Sequence, residues 1–149
     1  MFYENEMRHI VINGKELPVV CDIVVLEMLQ DKFGDLIKVK DQLQGFVQVK
    51  DQNGEWATEV DKDGNMIRTG YLTRPNVRTT FTAFAFMIQE GLEIEGSDEK
   101  VDIKSLMRQR DYTLEEVAKI CMEEYDKTFL SKNSLSAQKS DSEISHEEN

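Results

Sequence analysis

Between His9 and Gly34 the chain reads HIVINGKELPVVCDIVVLEMLQDKFG, a β-hairpin closed by Asn13-Gly14 that feeds directly into a capped amphipathic helix. Arg8 to Ile12 and Lys15 to Val20 flank a dipeptide whose two residues both tolerate the positive φ of a type I′ turn. Pro18 has no N–H to donate, which places the second strand at an edge or a bulge. Asp22 stands where an N-cap belongs. From it, Val25, Leu29 and Phe33 fall on one helical face with Leu26 beside them, Glu27, Gln30 and Asp31 face away, and Gly34 occupies the C′ position. Ile23, Val24 and Val25 are all β-branched and weaken helix propensity, so a strand running on into them is the alternative.

The chain has 149 residues with 40% apolar content, enough for one core and too little for two full-sized domains. One α+β domain over residues 1–132, with a β insertion at about 45–73 and a tail from 133, is the expected organisation. The 29 acidic residues outweigh 18 basic ones to give a formal charge of -11. That balance repels phosphate backbones, argues against nucleic acid as a partner, and favours basic partners. No apolar run approaches the ~20 residues a bilayer requires, and MFYENEMRH has neither a basic nor an apolar leader region, so no membrane partner and a cytoplasmic location are expected. Cys21 and Cys121 lie far apart in different expected elements with no C-x-x-C, and read as reduced core thiols in preference to a disulfide.

Beyond Gly34, Leu36, Val39 and Leu43 at helical spacing point to a second small helix over Asp35 to Leu43. From Gly45 to Pro75 the chain turns β-branched and aromatic, punctuated by Asn53-Gly54 and Asp63-Gly64. Two further tight turns predict a three-stranded meander over roughly Phe46–Val49, Glu55–Val60 and Met66–Leu72. Whether it joins the hairpin in one sheet is left open. Helical spacing returns after Asn76 with Val77, Phe81, Phe84, Ala85 and Ile88, while Phe86 and Met87 make this helix apolar on most sides. Gly91 is expected to end it, with Leu92 and Ile94 folded inward. A brief helix capped by Asp102 carries Ile103, Leu106 and Met107. Thr113-Leu114-Glu115-Glu116 matches a capping box and starts a long helix with Leu114, Val117, Ala118, Cys121, Tyr125 and Phe129 on one side. Residues 133–149 are serine-rich and acidic with little to bury, and read as a disordered tail. The fold class is therefore α+β: an N-terminal β-hairpin and an inserted β-meander packed with a small bundle of three to five helices.

Chemistry is sparse in this pattern. His9 precedes a strand and His146 lies in the tail, so neither is placed for a triad, and no enzyme activity is expected. The acids fall on solvent faces and at turns, where solvation explains them. DKDGN at Asp61 to Asn65 has its glycine at the fourth position of a calcium-type loop, not the sixth, and Leu72 stands where the twelfth-position Glu belongs, so it reads as a hairpin turn and no metal is expected. The eight glycines are scattered, with no phosphate-binding motif, and no cofactor is expected. Lys104, Arg108 and Arg110 make a small basic group that reads as material for internal ion pairs. Surface for another protein remains, and the partner-facing candidates by helical position are Phe86, Met87, Tyr125 and Phe129; core packing is the other reading of each.

VINGKELPVVCDIVVLEMLQDKFGDL, then FTAFAFMIQEGLEIEG and TLEEVAKICMEEYDKTF, resemble the tail assembly chaperones of long-tailed phages and prophages of Gram-positive bacteria. Ile12, Asn13, Gly14, Lys15 and Glu16 match that family's hairpin turn, Phe33-Gly34 its first helix end, and Met87, Ile88, Glu90 and Gly91 the close of its mid-chain helix. The inserted β segment from Phe46 to Leu72 is not part of the resemblance. The family implies a non-enzymatic chaperone that binds the tape measure protein, keeps it soluble before tail tube assembly and yields to the tail tube protein. Self-association is the further contact that an exposed apolar face on these helices would support. The alternative is a prophage or mobile-element accessory protein that binds a host protein through an acidic surface.

Overall fold

The structure is a computed structural model that describes residues 7–130. It is an α+β fold with three separate two-stranded ladders and five helices. The expected acidic tail, 133–149, lies outside the described residues.

β1 (Arg8–Ile12) and β2 (Lys15–Val19) pair antiparallel with Ile12 opposite Lys15, across Asn13 at φ 54° and Gly14 at φ 78°. Both turn residues thus take the positive φ that a type I′ turn demands. The hairpin buries Ile10, Ile12, Leu17 and Val19 on one face. Helix α1 (Ile23–Phe33) starts where Asp22 accepts from the Val25 N–H at 3.1 Å, so the cap overrides the β-branched triplet behind it. Helix α2 (Leu36–Gln44) follows and buries Val39 and Leu43.

Helix α3 (Val77–Ile94) is the centre of the core, with Phe81, Ala83, Phe84, Met87, Ile88 and Leu92 all buried. It runs through Gly91, where its end was expected. Gly91 is a contact glycine: a Cβ there would lie 2.8 Å from the Pro18 ring carbon of β2, so the missing side chain lets the hairpin settle on the helix. The helix ends instead at Gly96, where the Ser97 N–H reaches Leu92 O and the Gly96 N–H reaches Glu93 O, a Schellman closure. Leu92 is folded inward as expected, whereas Ile94 is exposed because the extra turn carries it to the outer face.

Helix α4 (Ile103–Arg108) is short, and α5 (Leu114–Thr128) opens on the capping box that Thr113 and Glu116 complete in both directions. α5 packs against α3 and α2, burying Val117, Ala118, Cys121 and Tyr125. Arg8 ties β1 to it through Glu123 at 2.7 Å. Both cysteines are free and buried, as expected of core thiols. Burial pushes the Cys21 thiol up to about 11 and raises Cys121 further.

The insertion forms strands β3 (Phe46–Gln48), β4 (Thr58–Val60), β5 (Met66–Arg68) and β6 (Gly70–Leu72), but not a meander. β3 pairs with β6 and β4 with β5, while Lys50 bridges Trp56. Where the three arms meet, Val49 N–H donates to Thr69 O, Thr69 N–H to Ala57 O, and Ala57 N–H to Val49 O, at 3.0, 2.9 and 2.8 Å. The result is a three-way junction of strands closed by a ring of backbone hydrogen bonds. Its cause lies at the base: Thr73 N–H donates to Gly45 O, and Asn76 N–H to Gln42 O, so the insertion must return to where it left and its first and last strands become neighbours. Neither pair joins the N-terminal hairpin.

Candidate functional site

His9 and Asp61, two of the groups the sequence brings forward, are held in structural roles. His9 faces two acceptors, Met7 O at 3.0 Å from Nδ1 and Glu95 Oε2 at 2.6 Å from Nε2. The Glu95 carboxylate raises its pKa, and the imidazolium satisfies both partners while tying β1 to the end of α3. Asp61 organises its turn, its Oδ1 accepting from the Asp63 and Asn65 N–H groups at 2.9 Å each, as a hairpin turn does. Among the described residues no group of three or more His, Cys, Asp and Glu side chains is placed to hold a metal.

The partner-facing candidates divide. Met87 is fully buried and Tyr125 nearly so, so both are core residues, and Tyr125 donates its hydroxyl to Leu36 O of α2 at 3.1 Å. Phe129 packs tilted against Tyr125 with ring centres 4.9 Å apart and stays 57% exposed. Thr128, its neighbour, donates to Cys21 O at 2.9 Å, which sets this aromatic edge beside the start of α1, where Ile23 is also exposed. Phe86 is half-buried and contributes to a groove.

That groove, about 500 Å³, lies between α1 and α3 and is closed on its third side by the segment entering α4. Its floor is Ala85 and Phe86, and Met28, Val101 and Ile103 form apolar walls. Gln89 positions the third wall by accepting from the Val101 N–H at 2.9 Å and donating to Glu99 O at 3.1 Å. Val20 N–H donates to Met87 O at 3.2 Å, which puts the start of α1 beside the later turns of α3. Asp22 before α1 meets Glu90 late on α3, and about 15 Å further along α1 Lys32 shares the groove with Arg78 in the first turn of α3, so the two helices run antiparallel with both cations toward one end.

Charge in the groove is unlike that of the whole chain. Among the described residues neither Lys32 nor Arg78 lies within ion-pair distance of a carboxylate. Asp102, the one carboxylate lining the groove, caps α4 by accepting from Lys104 N–H and Ser105 Oγ. The Ser105 hydrogen bond leads the causes that hold its pKa down. Lys104, Arg108 and Arg110, expected to make internal ion pairs, make none among the described residues.

Sequence reasoning found Phe86 and missed the rest of the groove. The signal was present: Arg78, Thr82, Ala85, Phe86 and Gln89 recur at helical spacing as a second, less greasy stripe on α3. Also unforeseen is the exposure of the insertion, where Trp56, Val60, Met66, Tyr71 and Leu72 are all open to solvent. Among the described residues no helix is long and apolar enough to cross a membrane. Comparison with protein-family models, with curated proteins and with solved structures finds no match to this chain.

Proposed function

We propose that the chain is a non-enzymatic tail assembly chaperone of the kind made by long-tailed phages and prophages. In this reading it binds the tape measure protein in the bacterial host cytoplasm, keeps it soluble and yields it to tail tube subunits. The observation that carries the reading is the apolar groove between α1 and α3, an unpartnered helical surface of the size and character that receives an amphipathic helix. The charge of -11 over the whole chain supports it, because an acidic exterior keeps a complex with an aggregation-prone helix in solution. The sequence resemblance in the hairpin turn at Ile12 to Glu16, at the Phe33-Gly34 helix end and over Met87 to Gly91 within α3 supplies the class of client.

Co-expression with a tape measure fragment tests the proposal. The expected result is a several-fold gain in soluble fragment, co-purification of the two chains, and loss of both in the Phe86→Asp variant. No gain and no co-purification would overturn it, as would capture of a host protein through the acidic surface with the groove variant unaffected.

A further inference from the structure

Resting on the client-binding reading above, we infer that the groove between α1 and α3 takes an amphipathic helix in one direction only, set by client carboxylates that meet Lys32 and Arg78. The groove follows α3 from Arg78 to Gln89, a length of about 16 Å at 1.5 Å per residue, which matches roughly three turns of a docked helix. Over three turns a client presents apolar anchors at positions i, i+3 or i+4, and i+7, and the floor of Ala85 and Phe86 receives them.

Polarity comes from charge. One end of the groove carries two cations without a carboxylate partner among the described residues, while the chain as a whole carries -11. Asp102 keeps its charge while it caps α4, since both its donors are neutral, and it lies beyond ion-pair distance of Lys32 and Arg78. A client helix with carboxylates beside its apolar stripe at one end, and neutral or basic residues elsewhere, complements both the cationic end and the acidic surroundings. Reversed, the same helix sets its carboxylates toward Asp102, the one carboxylate of the lining, and leaves Lys32 and Arg78 unpaired. The two cations thus select both a client chemistry and a binding direction.

Two synthetic helical peptides with an identical leucine stripe provide the test, one carrying a pair of Glu beside the stripe at one end and the other a pair of Lys. At low salt the Glu peptide is expected to bind about tenfold more tightly, the sum of two partly exposed ion pairs. The double variant Lys32→Glu/Arg78→Glu, altered only at charged positions on the groove rim, is expected to invert the preference. Phe86→Asp is expected to weaken both peptides at least tenfold. Equal binding of the two peptides, or a preference that survives the double reversal, would overturn the inference, and so would unchanged binding in Phe86→Asp. The two readings fail separately. A tape measure fragment solubilised without any peptide preference defeats only the charge-set direction, and a clean inversion without fragment binding defeats only the chaperone assignment.

Discussion

The N-terminal hairpin and the inserted arm both turn on an Asx-Gly pair, yet one packs into the core and the other stands open to water. At Asn13-Gly14 both residues adopt positive φ, the strands stay in tight register, and Ile10, Ile12, Leu17 and Val19 are buried in the core, with β2 against α3. At Asn53-Gly54 and Asp63-Gly64 only the glycine does. There an aspartate two residues before each Asx takes control: Asp51 accepts from the Asn53 and Glu55 N–H groups, and Asp61 repeats the pattern with Asp63 and Asn65. The difference teaches that the dipeptide announces a turn, and its neighbours choose the type. Burial is decided separately, by whether a helix has room for the strand. Gly91 gives β2 that room on α3, while the arm is tied down near its base, by the Arg68 fork on Asp41 at 2.6 and 2.8 Å.

Truncation gives the sharpest contrast between the two regions. Leu29 is fully buried in the helix that the hairpin feeds, and Leu29→Ala is expected to cost about 3 kcal/mol in urea unfolding. Leu72 in the arm is 73% exposed, and Leu72→Ala is expected to stay within about 0.5 kcal/mol. A cost at Leu72 approaching that at Leu29 would mean that the arm is covered in solution, by a second copy or another surface, and would erase the distinction.

The turns come next in size. Asn13→Val forces a β-branched residue to positive φ in a turn the whole hairpin depends on, and a global loss of about 1–2 kcal/mol is expected by thermal unfolding. Asp61→Ala removes one acceptor shared by two N–H groups and is expected to loosen its loop by about 1 kcal/mol. That change should appear as faster amide exchange at Asp63 and Asn65 with the global midpoint almost unmoved. If Asp61→Ala lowers the midpoint as much as Asn13→Val, the arm and the core unfold together and the comparison fails.

What was legible in the sequence divides along the same line. The hairpin, the Asp22 cap, the Gly34 stop and the Thr113 capping box are written in residues a few positions apart, and local hydrogen bonds execute them. Gly91 was misread as a helix end because its reason is Pro18, more than seventy positions away in sequence and in contact only once the hairpin has folded onto α3. The strand pairing of the insertion depends on closure at Gly45 and Thr73, which no periodicity encodes. For the groove, the apolar character of α3 around most of its circumference hid which side is covered. Phe86 and Met87 are adjacent in sequence, and only the packing of α1 and α5 separates a groove residue from a core one.

The smallest expected effect, a pH dependence, belongs to the hairpin-to-helix side. Glu90 on α3 meets Asp22, the N-cap of α1, and their hydrogen bond, reinforced by burial, lifts the Glu90 carboxyl from its ordinary 4.5 to about 7. A folded-state pKa raised above the unfolded value means that the native chain holds this proton more tightly. The stabilisation is fully present below about pH 4.5 and is lost as pH rises through about 7. His9 acts in the same direction, since Glu95 raises its pKa from 6.5 and its contribution also fades as pH rises through the raised value. Glu90→Gln keeps a neutral side chain of the same shape beside Asp22 at every pH. It is expected to be more stable than the parent at pH 8 by about 1 kcal/mol, once screening at a partly exposed site is allowed for. Denaturant unfolding of the parent, Glu90→Gln, His9→Gln and the double variant between pH 5 and 8 separates the two contributions. A Glu90→Gln chain that declines across this window as steeply as the parent would show that the Asp22–Glu90 contact does not hold a proton. The link between the hairpin's helix cap and the central helix would then be apolar packing alone, as Gly91 and Pro18 make it at the next residue of α3.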